Sequence, residues 1–237
     1  MYTGVIILPA WNEEKTIPIA FERLKSGVVD LSNQLYFRFV AIDDGSSDNT
    51  YQQLQEQKSR LNLDLEIIRH PENRGIVISE IEGYRRALEL NADFILKTDL
   101  DVDFDQRDVV NSLNQHLLNG IPVVVGVRFR PIKEEEHPLE FELRKEIMER
   151  MRQKFGISDL DPPSAGSQGF INYALQKILG NPYIAAYNKR WGLDMTVPLI
   201  AKVEGLDVTI LKLPGKYDPS RRPPEKVEAQ YKAYLEN

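Results

Sequence analysis

At 237 residues, with 42% hydrophobic and 28% charged side chains, the chain is long enough for one domain with a substantial core and too well mixed for a long disordered or low-complexity tract. A formal net charge of -6 argues against a general nucleic-acid binder, and the absence of cysteine excludes disulfides, thiolate catalysis and cysteine-ligated metals. No run reaches the roughly 18 apolar residues of a membrane span, and the opening Met1-Tyr2-Thr3-Gly4 lacks a basic leader pattern, so a cytoplasmic location is expected.

In chain order, residues 4–8 form a continuous apolar run that Pro9 is expected to end, a buried strand entering a loop. A helical pattern follows from Asn12 to about Val29. Residues 37–42 are a second strand, stopping at Asp43-Asp44-Gly45-Ser46-Ser47-Asp48-Asn49-Thr50, where Ser47 or Asp48 can cap a helix over 50–60. Residues 63–68 make a third strand, then His70-Pro71-Glu72-Asn73-Arg74-Gly75 and a helix over 76–90. A fourth strand over 94–98 runs into Asp99-Leu100-Asp101-Val102-Asp103. Four rounds of strand, loop and helix predict βαβ units and a mostly parallel sheet, whose ligands collect outside the carboxyl ends of the strands. Each polar cluster follows a strand, so all of them fall on one rim.

Alternation turns Asp99, Asp101 and Asp103 to one side as the chain leaves its strand. Three carboxylates so close repel unless a cation or proton neutralises them, and an all-oxygen set suits Mg²⁺ or Mn²⁺ together with substrate phosphates. An isolated pattern of this kind is as often a solvated acidic turn.

Beyond a helix over 106–119 and a Val-rich strand over 122–127, expected to be central, residues 130–163 are charged. Leu139, Leu143, Ile147, Met151 and Phe155 mark an amphipathic helix there, and Lys133-Glu134-Glu135-Glu136 reads as solvated surface. Asp161-Pro162-Pro163-Ser164-Ala165-Gly166 is a turn-rich joint before Ser167-Gln168-Gly169-Phe170-Ile171-Asn172 and a helix to about Leu179. Arg190-Trp191-Gly192-Leu193-Asp194 opens a further helix, residues 208–213 form a late strand, and a last helix follows the Pro- and Arg-rich tail. His70, His116 and His137 share no metal-ligand spacing, which favours structural or surface roles.

Together, Pro9-Ala10-Trp11-Asn12-Glu13-Glu14, the 41–50 segment, Asn73-Arg74-Gly75 and Asp99-Leu100-Asp101 resemble the family-two class of GT-A glycosyltransferases, in the order and at the separations of that class. The resemblance implies an α/β GT-A domain over 1–237, with a nucleotide-sugar half over 1–127 and an acceptor half over 128–237. It further implies transfer of a hexose from a nucleoside-diphosphate sugar, GDP-mannose before UDP-glucose, with Mg²⁺ or Mn²⁺. The acceptor hydroxyl is left open between a soluble small molecule and a polyprenyl phosphate or glycan, as are peripheral membrane contact and a homodimer. Without a Gly-rich loop after the first strand, a sugar nucleotidyltransferase is the lesser alternative, beside an inactive nucleotide-sugar-binding module.

On that resemblance Asp101 is the metal ligand, with Asp99 on ribose or metal, and Asp103 ranks lower. Pro9 and Trp11 line the donor cleft, Trp11 standing where the family has Tyr and serving either to stack on the base or as a core aromatic. Asp44 accepts from base or ribose while Asp43 orders the turn, and an Asx turn with a helix cap explains the same residues. Glu13 is either a ribose acceptor or a helix cap, and Arg74 either reaches the diphosphate or is an ordinary surface residue. Asp194 is the candidate catalytic base, although Leu193 occupies the position of the family's Glu. Trp191-Gly192-Leu193-Asp194 with Lys216-Tyr217-Asp218 also resembles mannosylglycerate synthases, which makes Asp218 a third metal ligand and leaves the stereochemistry open. Gln168 and Gly169, after Gly166, match a Gly-rich acceptor loop, and apart from the resemblance Arg221 and Arg222, beside prolines in the tail, either close over the diphosphate or lie in a solvated turn.

Overall fold

The run Val5-Ile6-Ile7-Leu8 is apolar at every position because its strand, β1 (Tyr2–Ala10), is covered on both faces. Val5 and Ile7 enter one hydrophobic cluster, and Ile6 and Leu8 enter the other, as strand alternation requires. The structure, a computed structural model, describes residues 1–101, 104–128, 138–155, 166–188 and 190–215 with Glu225 and Glu228, and for some residues of 128–155 the backbone alone.

After β1 come α1 (Ile17–Asp30), β2 (Leu35–Asp43), α2 (Thr50–Leu61), β3 (Leu65–Arg69), α3 (Ile76–Glu89), β4 (Phe94–Thr98), α4 (Gln106–Leu118) and β5 (Val123–Arg128). The second half supplies α5 (Pro138–Phe155), β6 (Ser167–Ile171), α6 (Asn172–Gly180), α7 (Pro182–Ala185), α8 (Leu193–Val203) and β7 (Val208–Leu213). The seven strands form one sheet in the order β3-β2-β1-β4-β6-β5-β7. β6 runs antiparallel to β4 and β5, and the remaining pairs are parallel. Helices α1, α2 and α4 cover one face, and α3, α6, α7 and α8 cover the other.

β6 corrects the expectation of a Gly-rich loop at Gln168 and Gly169. Its five residues carry a Gly and two polar side chains, so local pattern gives little strand signal, yet Gln168 pairs with Lys97 and Val125, and Gly169 with Leu96 and Val124. A Cβ on Gly169 would stand 3.0 Å from Leu96 Cδ2 and 3.2 Å from Leu117 Cδ1, so the missing side chain lets α4 close onto the sheet. β5, expected to be central, lies one strand in from the β7 edge.

Three boundaries also differ. Pro9 lies inside β1, where its lack of an N–H is tolerated because β4 pairs only as far as Ile7 and leaves that side of the strand open. α1 begins at Ile17 instead of Asn12, whose φ of 56° is left-handed and outside any helix. α8 begins at Leu193 instead of Arg190, because Gly192 turns the chain at φ 97°. The amphipathic helix marked by Leu139 to Phe155 is helical at α5, while the side chains of its apolar stripe, the Glu run at 133–136 and all of the tail helix but Glu225 and Glu228 lie outside the described residues.

Candidate active site

β1 and β2 end in register, Ala10 beside Asp43, which puts the loops that follow them side by side. Asn12, Glu14, Ser46, Asp48 and Thr50 zip these loops together. Asn12 N donates to Ser46 Oγ at 2.9 Å while Ser47 N donates to Asn12 Oδ1 at 2.9 Å. Glu13 N donates to Thr50 Oγ1 at 2.7 Å, and Asn49 N to Glu14 Oε2 at 3.1 Å. Asp48 receives Glu14 N at 3.2 Å, and Thr50 N and Oγ1 at 2.9 and 2.6 Å. Burial raises the Asp48 carboxyl, but these donors outweigh it and hold the group below its ordinary value.

Asp43 is fully buried at the turn, accepting from Ser46 N at 3.0 Å and facing Arg69 Nε at 3.2 Å. Asp44 points the other way, to the segment after β3. Its Oδ1 accepts Arg74 N at 2.9 Å, its Oδ2 accepts Gly75 N at 2.9 Å, and His70 Nδ1 stands 2.7 Å from Oδ1. His70 Nε2 lies 2.7 Å from Glu82 Oε2 on α3. Both ring nitrogens face carboxylate oxygen, an arrangement that favours the protonated ring, in which both donate. Burial works against that charge, yet the hydrogen bonds that the ring donates to Asp44 and Glu82 raise His70 above its ordinary value.

Gly45 has φ 66°, and a Cβ there would lie 2.2 Å from the Glu72 carbonyl carbon, so only Gly lets the β2 turn pass the β3 segment. From the second half, Arg190 donates to Asn73 Oδ1, and its side chain lies over Gly75.

The third cluster gathers at the exit of β4. Lys97 is 2% exposed, with Nζ 2.8 Å from Glu80 Oε1 of α3 and 2.7 Å from Asp99 Oδ1. Burial, against the pull of Lys97 and with the negative charges of Asp194 and Asp99, pushes the Glu80 carboxyl up to about 7. Tyr84, one turn along α3, donates to Gln168 Oε1 at 3.2 Å, and Gln168 Nε2 donates to the Asp194 carbonyl at 2.7 Å. Gln168 thereby fixes the first turn of α8, whose positive end stabilises the Asp194 carboxylate. Asp99 N donates to the Gly166 carbonyl at 3.1 Å, and a Cβ on Gly166 would lie 2.6 Å from Asp99 Oδ2, so glycine leaves that oxygen its space.

Of the expected site residues, Asp44 is bonded to the Arg74 backbone, Asp99 is ion-paired with Lys97, and Gln168 is bonded to the Asp194 carbonyl, three separate groups at the strand ends. Trp11 is 49% exposed at the end of β1, and the Glu13 carboxylate takes the Thr16 hydroxyl at 2.6 Å ahead of α1. Gln168 is 1% exposed and acts through α8, while Gly169 belongs to the core under Leu96 and Leu117. Asp103, Asp218, Arg221, Arg222 and His137 lie outside the described residues. Lys97, Glu80, His70, Glu82 and Arg190 were not anticipated as site residues. Lys97 carried a legible signal, a lone charge in an apolar strand, and Glu80 carried another, a carboxylate between Val77 and Tyr84 on the buried stripe of α3.

Among the described residues no three His, Cys, Asp or Glu side chains form a ready cation cage. Asp99 and Asp101 nevertheless suit a small hard ion, which takes one or two protein carboxylates and completes its shell with water and phosphate. The space that Gly166 leaves beside Asp99 Oδ2 is compatible with such a ligand. Among the described residues no helix is long and apolar enough to cross a membrane.

Residues 5–178 match the family described as Glycosyl transferase family 2. The chain is 31% identical over 140 residues to UDP-N-acetylglucosamine--dolichyl-phosphate N-acetylglucosaminyltransferase of Methanococcus voltae, covering 54% of this chain and 53% of that protein. It spans about half the length, or less, of the curated relatives it matches. Among solved structures, the mannosyltransferase PcManGT from Pyrobaculum calidifontis in complex with GDP-Man and Mn²⁺ superposes with a TM-score of 0.60 at 15% identity, covering 89% of this chain and 55% of that one. Mannosyl-3-phosphoglycerate synthase from Rubrobacter xylanophilus superposes with a TM-score of 0.66 at 13% identity, covering 99% and 72%. At these identities the likeness is one of fold, the GT-A type.

Proposed function

The chain belongs to glycosyl transferase family 2, and from that membership we propose that it moves a hexose from a nucleoside-diphosphate sugar to an acceptor hydroxyl, with Mg²⁺ or Mn²⁺ at the diphosphate. The observation that carries this reading is the convergence of three strand ends, those of β1, β2 and β4, on one rim with the starts of α3 and α8. GDP-mannose is the first donor, supported by the GDP-Man held in the Pyrobaculum calidifontis relative of the fold, and UDP-glucose is the second.

In this reading the exposed Trp11 ring stacks on the base. Asp44 both fixes the loop carrying Arg74 and presents its remaining lone pairs to base or ribose. Arg74, exposed at the start of α3, meets the diphosphate, where a guanidinium and the positive helix end act together. A cation held by Asp101 and Asp99 supplies positive charge against the departing nucleoside diphosphate. Asp194, fixed by the Gln168 bond to its carbonyl and by the first turn of α8, takes the acceptor proton on an inverting path.

The test incubates the chain with Mn²⁺ and labelled GDP-mannose or UDP-glucose, with and without candidate acceptors, and measures nucleoside diphosphate release. Acceptor-dependent release is expected. Asp194→Asn should lower transfer by about a hundredfold or more, the scale of a lost general base, while donor Kd stays at the wild-type value. Normal transfer by Asp194→Asn contradicts its role as the base, and binding without turnover across the panel contradicts transfer.

A further inference from the structure

Lys97 is the one charged side chain of β4, on the same strand face as Ile95, and no step of the proposed transfer uses it. A buried ammonium needs nearby opposite charge, and Lys97 has two carboxylates, from different elements. Glu80 of α3, itself 3% exposed, stands 2.8 Å away on the core side. Asp99, with a side chain 27% exposed toward the rim, stands 2.7 Å away through Oδ1. The Asp99 backbone is held as well, its N–H on the Gly166 carbonyl at 3.1 Å and its carbonyl taking Gln106 Nε2 at 3.2 Å.

Asp99 is therefore fixed at both backbone polar groups and at one carboxylate oxygen. Its Oδ2 is the oxygen beside Gly166, in the space that a Cβ would fill. A freely rotating carboxylate would swap its two oxygens and lose ordering entropy each time it engaged a donor.

We propose that Lys97 is a positioning residue: anchored by Glu80, it holds Asp99 Oδ1 inward so that Asp99 presents a single oriented oxygen to the donor ribose or its cation. The proposal rests on the glycosyltransferase reading for its kinetic consequence, though not for its geometry.

Lys97→Met alone would leave the Glu80 carboxyl buried without its partner, so the informative variant is Lys97→Met/Glu80→Met. Replacing a buried ion pair with apolar side chains of similar size is commonly neutral or stabilising. This variant should melt near the wild-type temperature, yet show a donor KM raised by about tenfold, with kcat within about threefold, the pattern of lost uniform binding. Adding Asp99→Asn to it should cost little more, because the two changes remove one interaction. A wild-type donor KM in the folded double variant overturns the proposal, and so does full additivity with Asp99→Asn. A merely structural role would instead lower melting temperature and kcat together. Should the Met pair fail to fold, Lys97→Gln/Glu80→Gln removes the charges while keeping two hydrogen-bonding side chains, with the same expectations. If the wild-type chain releases no nucleoside diphosphate from any donor, the glycosyltransferase reading falls, and a crystal structure of the folded double variant decides on Lys97. Asp99 turned from its wild-type orientation supports the proposal, and an unchanged Asp99 overturns it.

Discussion

At the scale of single residues, the side chains of the recognisable motifs divide into those that face the rim and those that build it. Asn12, Glu14, Ser46, Asp48 and Thr50 are absorbed in mutual hydrogen bonds between two loops, and Trp11 and Arg74 are left exposed. His70 shows a consequence of the same division. A group whose pKa is raised in the folded state stabilises the fold fully below its unfolded value and loses that contribution as pH rises through the folded value. His70 is raised from 6.5, so wild-type stability should fall as pH climbs from about 6.5 upward through the raised value. Glu82→Gln removes one of the two carboxylates facing the ring and leaves Asp44. Urea midpoints between roughly pH 6 and pH 8.5, flanking the ordinary imidazole range, should then vary less in the variant than in the wild type. Identical pH profiles would contradict an imidazolium bridge. The motif residues were legible because their spacing is local, whereas His70 and Lys97 gain Glu82 and Glu80 only when α3 packs against the sheet, and 26 residues separate His70 from Asp44.

Among the elements, α3 is the one that brings these partners in, and its approach depends on Gly83. A Cβ there would lie 2.3 Å from Ile7 Cγ2 and 3.1 Å from Ile42 Cδ1. Ala in a helix normally gains about 1 kcal/mol over Gly. Here overpacking against a stiff β-branched side chain costs about 1–3 kcal/mol, so Gly83→Ala should be destabilising or at best neutral. Urea denaturation checks this, and a clearly stabilised variant would contradict the close helix–sheet contact. The apolar runs of β1, β2 and β4 made those strands plain in the sequence. β6 was hidden because Ser167, Gln168 and Gly169 have the texture of a loop, and their strand is fixed by two neighbours, one of them β4, about 70 residues earlier in the chain, far beyond any local window. The first turn of α1 was misplaced for a smaller reason: Asn12, a good cap in composition, is used as a left-handed turn that meets Ser46 and Ser47.

For the whole molecule, the strands of the second half extend the sheet begun by the first, and β6 enters it between β4 and β5. That insertion carries Gln168 beside Lys97 of β4, and from there its side chain reaches the Asp194 carbonyl at the start of α8. The alternation of elements predicted this parallel framework and the rim at its carboxyl ends, while the antiparallel strand joining the halves needed the fold itself. The central claim is that this shared rim holds a nucleoside diphosphate and a divalent cation together. Calorimetric titration of the chain with GDP, in the presence and absence of Mn²⁺, tests it most directly. The expected result is binding strengthened by Mn²⁺ by about tenfold or more, one charge-assisted contact being worth roughly that factor, with the gain lost in Asp101→Asn. Equal affinity with and without Mn²⁺, or an undiminished gain in Asp101→Asn, would contradict it.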